Sequence, residues 1–114
     1  MTITPANKNL IVQRGDDFSF VFDIEVGGVV LDLSAATVLS QIRAKPEASA
    51  TLISDFTVEV SASNEITLSL TDAETSAITH DVGYYDVLVV IGTDKTHYLK
   101  GEITFVNTVT VQAV

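Results

Sequence analysis

Four aspartates are the residues of this sequence best suited to binding a metal ion. Asp16 and Asp17 are adjacent in the segment RGDDFSF, and Asp81 and Asp86 lie farther along the chain. A calcium ion needs about six to eight oxygen ligands around one point, so the loops of these aspartates would have to share one end of the domain. No acidic residue recurs at every second position, as in a calcium-binding loop. Acidic turns explain the four aspartates better, and we predict no metal site.

The two histidines are the remaining candidates for catalysis. His80 and Asp81 precede Gly83 in a segment typical of a turn, and His97 adjoins Tyr98 on a predicted strand. Neither histidine forms a pattern with a nucleophile, and the chain has no cysteine and no glycine-rich phosphate-binding loop. A catalytic function requires residues that converge on one site. We therefore predict no enzymatic activity and no cofactor.

Arg14-Gly15-Asp16 has the sequence of a cell-adhesion tripeptide. Adhesive copies of this tripeptide lie at exposed loop tips, whereas here a strand is expected to begin at Phe18, two positions after Asp16. Glycine adopts turn conformations that other residues resist, and aspartate caps nearby backbone amides. We interpret RGDD as the turn that precedes this strand.

Composition limits the classes of partner. The 114 residues suit one domain, residues 1–114, and they carry six basic and fifteen acidic side chains, a net charge of −9. That charge repels phosphate backbones and anionic lipid, so we expect neither nucleic acid nor membrane as a partner. No signal peptide is visible, and the longest apolar run, residues 87–91, is too short to span a bilayer. The absence of disulfides favours folding in a reducing cytosol.

Alternation of apolar and polar side chains predicts strands along most of the chain. It places Phe18, Phe20 and Phe22 on one face, and Val38, Ser40 and Ile42 on another inward face. Gly27-Gly28 predicts a tight turn, and the segments FTVEV and EITLSL should pair as a hairpin. The last two predicted strands are residues 84–92, with Tyr85, Val87, Val89 and Ile91 inward, and residues 101–111. The Tyr85 hydroxyl should find a hydrogen-bond partner, as in the corner tyrosine of a sandwich.

One segment breaks the alternation. Thr71 lies three residues before Glu74, the spacing of a helix capping box, which predicts a short helical turn near residues 72–78 that crosses between two sheets. Regularly spaced short strands around this turn predict an all-β fold, a single antiparallel β-sandwich of seven or eight strands.

Uncharged segments at both ends of the chain suggest contacts with other proteins. Residues 1–7 and 103–114 carry no charged side chain, and an uncharged edge strand invites pairing with another chain. One hypothesis is that a partner holds one or both termini. A terminal strand inside its own sheet explains the pattern equally well. We predict six apolar contact residues: Leu39, Leu88, Val90, Phe105, Val109 and Val111.

In order and spacing, several of these segments resemble a family of small tailed-phage and prophage structural proteins. The resemblance covers residues 12–110. It is carried by Gly15, Asp16, Phe18, Phe20, Asp32-Leu33-Ser34, Ala36-Thr37-Val38, Gln41-Ile42-Arg43, Gly83-Tyr84-Tyr85-Asp86-Val87 and Gly101. The family consists of immunoglobulin-like β-sandwiches encoded among tail, baseplate or fibre genes, and some resemble the N-terminal part of baseplate upper proteins. Family members often have a polar or basic residue where this chain has Leu39, which is predicted to face outward.

The resemblance implies a virion component that is assembled in the host cytoplasm, is present in multiple copies and docks on other phage structural proteins. Tail, baseplate, collar and capsid positions all stay open. The alternative function is a host-surface or carbohydrate-binding module of a fibre or adhesin. Such a module would need exposed aromatic rings, and because Phe18, Phe20, Phe22 and Phe56 are expected in the core, Tyr84 and Tyr98 would form its platform.

Overall fold

The computed structural model describes residues 5–110, which form eleven strands and one helix. Their bounds, in chain order, are β1 (Ala6–Asn7), β2 (Leu10–Gln13), β3 (Phe18–Phe22), β4 (Glu25–Val26), β5 (Val29–Val30), β6 (Ala36–Arg43), β7 (Leu52–Asp55), β8 (Thr57–Val60), β9 (Ile66–Leu70), α1 (Asp72–Ala77), β10 (Val82–Ile91) and β11 (Asp94–Val106).

Two sheets make up the sandwich. In the six-stranded sheet β1 and β2 both pair with β11, which is followed by β10, β6 and β7, and the three-stranded sheet has the order β3-β9-β8. Matched in chain order to immunoglobulin strands, the small sheet is B-E-D and the large sheet contains G-F-C, with β7 added as C′. The predicted immunoglobulin-like β-sandwich is therefore confirmed. The β4-β5 pair forms a separate hairpin around Gly27-Gly28, as predicted.

The strand pairing differs from the prediction at the start of the chain. β1 and β2 pair with β11 in parallel, while the other strand pairs are antiparallel. Nearly the whole domain separates β2 from β11 along the chain, so no tight hairpin forces these two strands to run in opposite directions. β1, β4 and β5 are two-residue strands, which raises the strand count above seven or eight.

The core lies between the two sheets and follows the predicted alternation. Ser40 and Ile42 of β6 are buried, as are Val87 and Val89 of β10. The facing sheet contributes residues of β9 that are at most 2% exposed: Ile66, Leu68 and Leu70. Aromatic rings connect the sheets. The centre of the Phe56 ring lies 6.2 Å from that of Phe18 and 6.0 Å from that of Tyr85, and the Phe56 and Tyr85 rings meet edge to face.

Helix α1 confirms the predicted capping box. The Thr71 hydroxyl accepts a hydrogen bond from the Glu74 amide at 3.2 Å, and the Glu74 carboxylate accepts one from the Thr71 amide at 2.9 Å. These bonds satisfy amides that have no partner within the helix. The helix joins β9 of the small sheet to β10 of the large sheet, so it crosses between sheets as predicted. The predicted hairpin of β8 and β9 is also present.

The last strand corrects one prediction and decides between two alternatives. β11 begins at Asp94 rather than residue 101, and it lies inside the large sheet, between β10 and β1-β2, in agreement with the alternative of a terminal strand inside its own sheet. The chain therefore covers residues 103–106, the uncharged part of this strand, with its own first strands. Phe105, predicted as a contact residue, is 3% exposed because it pairs with the buried Val12 and faces the core. Val111, another predicted contact residue, lies outside the described residues.

Candidate docking face

The aspartates considered as calcium ligands have separate partners. The Asp17 carboxylate accepts a hydrogen bond from the Asp72 amide at 2.9 Å, and Asp81 forms an ion pair with Arg14 at 3.2 Å. Asp86 lies on another strand, 3.6 Å from His97. Among residues 5–110 no group of three or more His, Cys, Asp or Glu is arranged to hold a metal ion. In that same part of the chain, no helix is long and apolar enough to cross a membrane.

Arg14 connects three segments by hydrogen bonds at one end of the sandwich. Its guanidinium donates to the carbonyls of Ile78 at 2.8 Å and His80 at 2.6 Å, and to the Asn107 side chain at 2.6 Å. The side chain is only 15% exposed, so it is committed to these contacts. The sequence offered no signal for this role, because the three partners lie more than sixty positions away along the chain.

The rest of the RGDD segment forms the predicted turn. Gly15 has a φ of 91°, which favours glycine, and its amide donates to the Thr75 hydroxyl at 3.0 Å. That hydroxyl in turn donates to the Asp16 carbonyl at 2.8 Å, although Thr75 is completely buried. The segment therefore docks on helix α1, and its arginine is held within the fold.

The first strands are fixed by a second set of contacts around Lys8, between β1 and β2. The Lys8 amide donates to the Lys100 carbonyl at 2.8 Å, and the Lys8 carbonyl accepts a hydrogen bond from the Tyr85 hydroxyl at 2.7 Å. A Cβ atom on Gly101 would lie 1.9 Å from the Lys8 carbonyl oxygen, so only glycine allows this approach. Burial raises the pKa of Tyr85 to about 12.

Tyr85 was expected to resemble a corner tyrosine, and the structure corrects this. Its burial and its hydrogen bond are confirmed, but a corner tyrosine bonds to backbone a few residues upstream. Tyr85 instead reaches a carbonyl 77 positions away in sequence. It therefore fastens the first strands to the large sheet.

The opposite side of the large sheet faces solvent, and we call this side the outer face. It consists of the outward residues of β2, β11, β10, β6 and β7. On the middle strands of this face, toward one end, Leu39 of β6 pairs with Leu88 of β10, which pairs in turn with His97 of β11. Leu39 is 52% exposed, while Leu88 and its neighbour Val90 are half-buried. Three of the six predicted contact residues thus lie together on this face.

A second apolar group on the outer face was missed by the sequence analysis. Ile11 and Val82 both pair with Thr104, and Val106 follows two positions later on the same strand. Ile11 is 69% exposed, and Val82 and Val106 are 38% and 39% exposed. Ile11 lies within an unbroken apolar run, residues 10–12, whose alternation cannot be recognised from sequence. Val109, the remaining predicted contact residue, is fully exposed beyond the end of β11.

The charged side chains of the outer face balance one another. The register of the strands shows which charged residues point outward on this face. Three are basic and three are acidic: Arg43, Lys95 and Lys100, and Asp55, Asp86 and Glu102. With His97 neutral their sum is zero. The entire net charge of −9 therefore lies elsewhere on the molecule. A depression of about 1000 Å³ is lined in part by outer-face residues, including Leu39, Tyr84 and Leu88.

The aromatic platform predicted for a carbohydrate-binding module does not form. Tyr84 is half-buried on the outer face, but Tyr98 is 8% exposed. The register of β10 and β11 shifts between Val87 and Leu88, so Tyr98 is an additional residue in β11 and turns into the core. Alternation alone cannot show such a bulge.

Comparison with known proteins gives no assignment. No family model matches the sequence, and no curated protein matches it. Among solved structures, the chain is similar to one from a study of "multimeric cell-adhesive interactions of VGSC beta subunits", with a TM-score of 0.47 and 10% identity over 95% of this chain and 98% of that one. A TM-score and a sequence identity this low indicate neither the family nor the function of this chain.

Proposed function

We propose that the protein is a non-enzymatic structural subunit of a tailed-phage particle, present in multiple copies and held there through its outer face. The observation that carries this proposal is the apolar character of the face. An antiparallel sheet with one side in water normally exposes polar side chains on that side. Here Leu39, Leu88 and Val90 form an apolar group toward one end of the face, and Ile11, Val82 and Val106 form another at the opposite end.

A group of adjacent exposed apolar side chains on a soluble domain marks a surface that another molecule covers. The outer face has two such groups with charged and polar side chains between them, a mixture of the kind found in protein–protein contacts. The resemblance of residues 12–110 to small tailed-phage and prophage structural proteins supports the same class of function. The position within the particle, whether tail, baseplate, collar or capsid, is not part of the proposal.

The alternative, a carbohydrate- or host-surface-binding module, is less well supported. Sugar sites use aromatic faces that are open to solvent, and the burial of Tyr98 leaves Tyr84 as the outer-face aromatic residue in the described chain. If Tyr84→Ala abolished attachment of particles to cells while particle assembly continued, the alternative would replace our proposal.

The proposal is tested in the bacterium that carries the gene. Particles purified from its lysates should contain this chain in several copies per particle, measured by peptide mass spectrometry. Deletion of the gene should reduce the yield of intact particles. The wild-type gene and the Val21→Lys variant should restore that yield, and Leu39→Lys should not.

Val21 is a matched control, because it is also 52% exposed but points outward from the small sheet. Absence of the chain from purified particles would refute the proposed function. Full restoration by Leu39→Lys would show that the outer face is not the surface that holds the chain.

A further inference from the structure

We infer that the molecule covering the outer face is a second copy of the same chain, packed face to face about a two-fold axis. This inference rests on the proposed function, because it names the partner of the surface described there. In a two-fold pair both copies use the same surface, so that surface has to be complementary to itself. Three properties of the outer face meet this requirement.

The first property is charge. Each copy carries −9, so two copies repel one another through most of their surfaces. On the outer face the three basic and three acidic side chains cancel. This is a surface on which the charge of one copy does not oppose the approach of another. A strongly basic partner would be better matched by the acidic remainder of the molecule.

The second property is the arrangement of charges between the two apolar groups. In the row next to Leu39 and Leu88, Asp86 pairs with Lys100, and in the following row Tyr84 pairs with Arg43 and Glu102. Charges of both signs therefore lie side by side. A two-fold rotation can place an acidic group of one copy against a basic group of the other, which fixes the orientation of the pair.

The third property is size. The five strands have 39 residues in all, and at a rise of about 3.3 Å per residue and a spacing of about 4.8 Å they cover about 600 Å². Two such faces would bury about 1,200 Å² together, the lower end of the range for specific, stable protein–protein interfaces. The outer face of the small sheet has three strands and is a little over half as wide.

The test is the mass of the purified full-length chain, measured by light scattering and analytical ultracentrifugation from micromolar to millimolar concentration. The wild-type chain should form a dimer with a defined dissociation constant. Leu39→Lys and Ile11→Lys, toward opposite ends of the face, should each raise that constant about tenfold or more, because a lysine would have to lose its water in the interface. Val21→Lys should leave it unchanged.

Leu39 and Ile11 are 52% and 69% exposed, so we expect both variants to fold, which circular dichroism would verify. A wild-type chain that stays monomeric at every concentration would overturn the inference, and so would equal weakening by Val21→Lys and Leu39→Lys. A monomer that is nevertheless found in particles would leave the proposed function intact and point to a different protein on this face. A chain that forms the dimer but is absent from purified particles would support the inference about the second copy and refute the proposed function.

Discussion

The two outward sides of this sandwich have the same strand geometry and different chemistry. On the small sheet the outward residues of β3, β9 and β8 pair in two rows, which consist of Ser19, Ser69 and Thr57, and of Val21, Thr67 and Glu59. Four of these six side chains are hydroxyls, and Val21 is the apolar exception. On the large sheet the corresponding rows contain Leu39, Leu88 and Val90.

This difference shows which side of the sandwich is adapted to remain in water. The hydroxyl side chains of serine and threonine are readily hydrated, so this side of the small sheet is compatible with water. Exposed leucine and valine cannot form hydrogen bonds with water, and exposed apolar patches promote association. The fold uses the two inward sides in the same way, as halves of one core. It is on the outward sides that the sheets differ in function.

The largest effect should come from the glycine that lets β1 and β2 extend the large sheet. Gly101→Ala places a methyl group against the Lys8 carbonyl, and we expect a loss of about 3 kcal/mol of unfolding free energy. Chemical denaturation would measure the loss. Hydrogen exchange should show faster exchange of the Lys8 amide, which donates to Lys100 in the wild type.

Thr104→Ala, on the exposed side of the same strand, is the control and should cost about 1 kcal/mol at most. If Gly101→Ala were equally mild, the first strands would adapt to the methyl group. Ile11 would then not be held firmly enough to count as part of the outer face.

The second largest effect is expected at Tyr85, whose titration should make the free energy of unfolding depend on pH. The folded protein holds the phenol proton more tightly than the unfolded chain, because burial raises the pKa from 10.0 to about 12. The associated stability is fully present below pH 10 and is lost as the pH rises through 12, a decrease of about 2 kcal/mol.

Tyr85→Phe should remove this decrease and cost about 1 kcal/mol at neutral pH through the lost hydrogen bond to Lys8. The difference in unfolding free energy between the two proteins, measured at each pH, cancels the titration of other groups. A difference that stays constant up to pH 12 would contradict the prediction.

Much of the core could be predicted from alternation, since Val38, Ser40, Ile42, Val87 and Val89 all face inward as expected. Local chemistry was equally informative at the Thr71 capping box. These signals depend on neighbouring residues alone, which is why a single sequence reveals them.

The errors arose where distant segments meet. Phe105 was predicted as a contact residue and Tyr98 as part of a sugar-binding platform, because the parallel pairing of β2 with β11 and the bulge in β11 leave no local pattern. The contacts of Arg14 join residues more than sixty positions apart, and so did not show in the sequence either. For the outer face, Leu39 and Leu88 were predicted, but the register that makes them neighbours had to come from the structure.

Exchanging the chemistry of the two sides should change association more than stability. The double variant Leu39→Thr/Leu88→Thr makes the large sheet resemble the small one, and we expect a dissociation constant about tenfold or more higher, at a cost of about 1 kcal/mol in stability. The reverse variant, Thr67→Leu/Ser69→Leu, places leucines on the small sheet. It should not produce a defined dimer, because three strands offer too little area. If it did, exposed leucine alone would explain association, and the charge balance of the outer face would be irrelevant.

The smallest expected effect is that of salt, and its sign separates two kinds of partner. Two copies that each carry −9 repel at long range, so raising sodium chloride from about 10 mM to about 100 mM, which shortens the screening length from about 30 Å to about 10 Å, should strengthen the dimer a few-fold. Complexes with a basic protein would weaken instead. Salting-out of apolar surface also favours association, but it continues to increase at high salt, whereas screening of repulsion levels off. A dissociation constant that falls and then reaches a plateau is the result expected for a second copy, and one that rises with salt would exclude it.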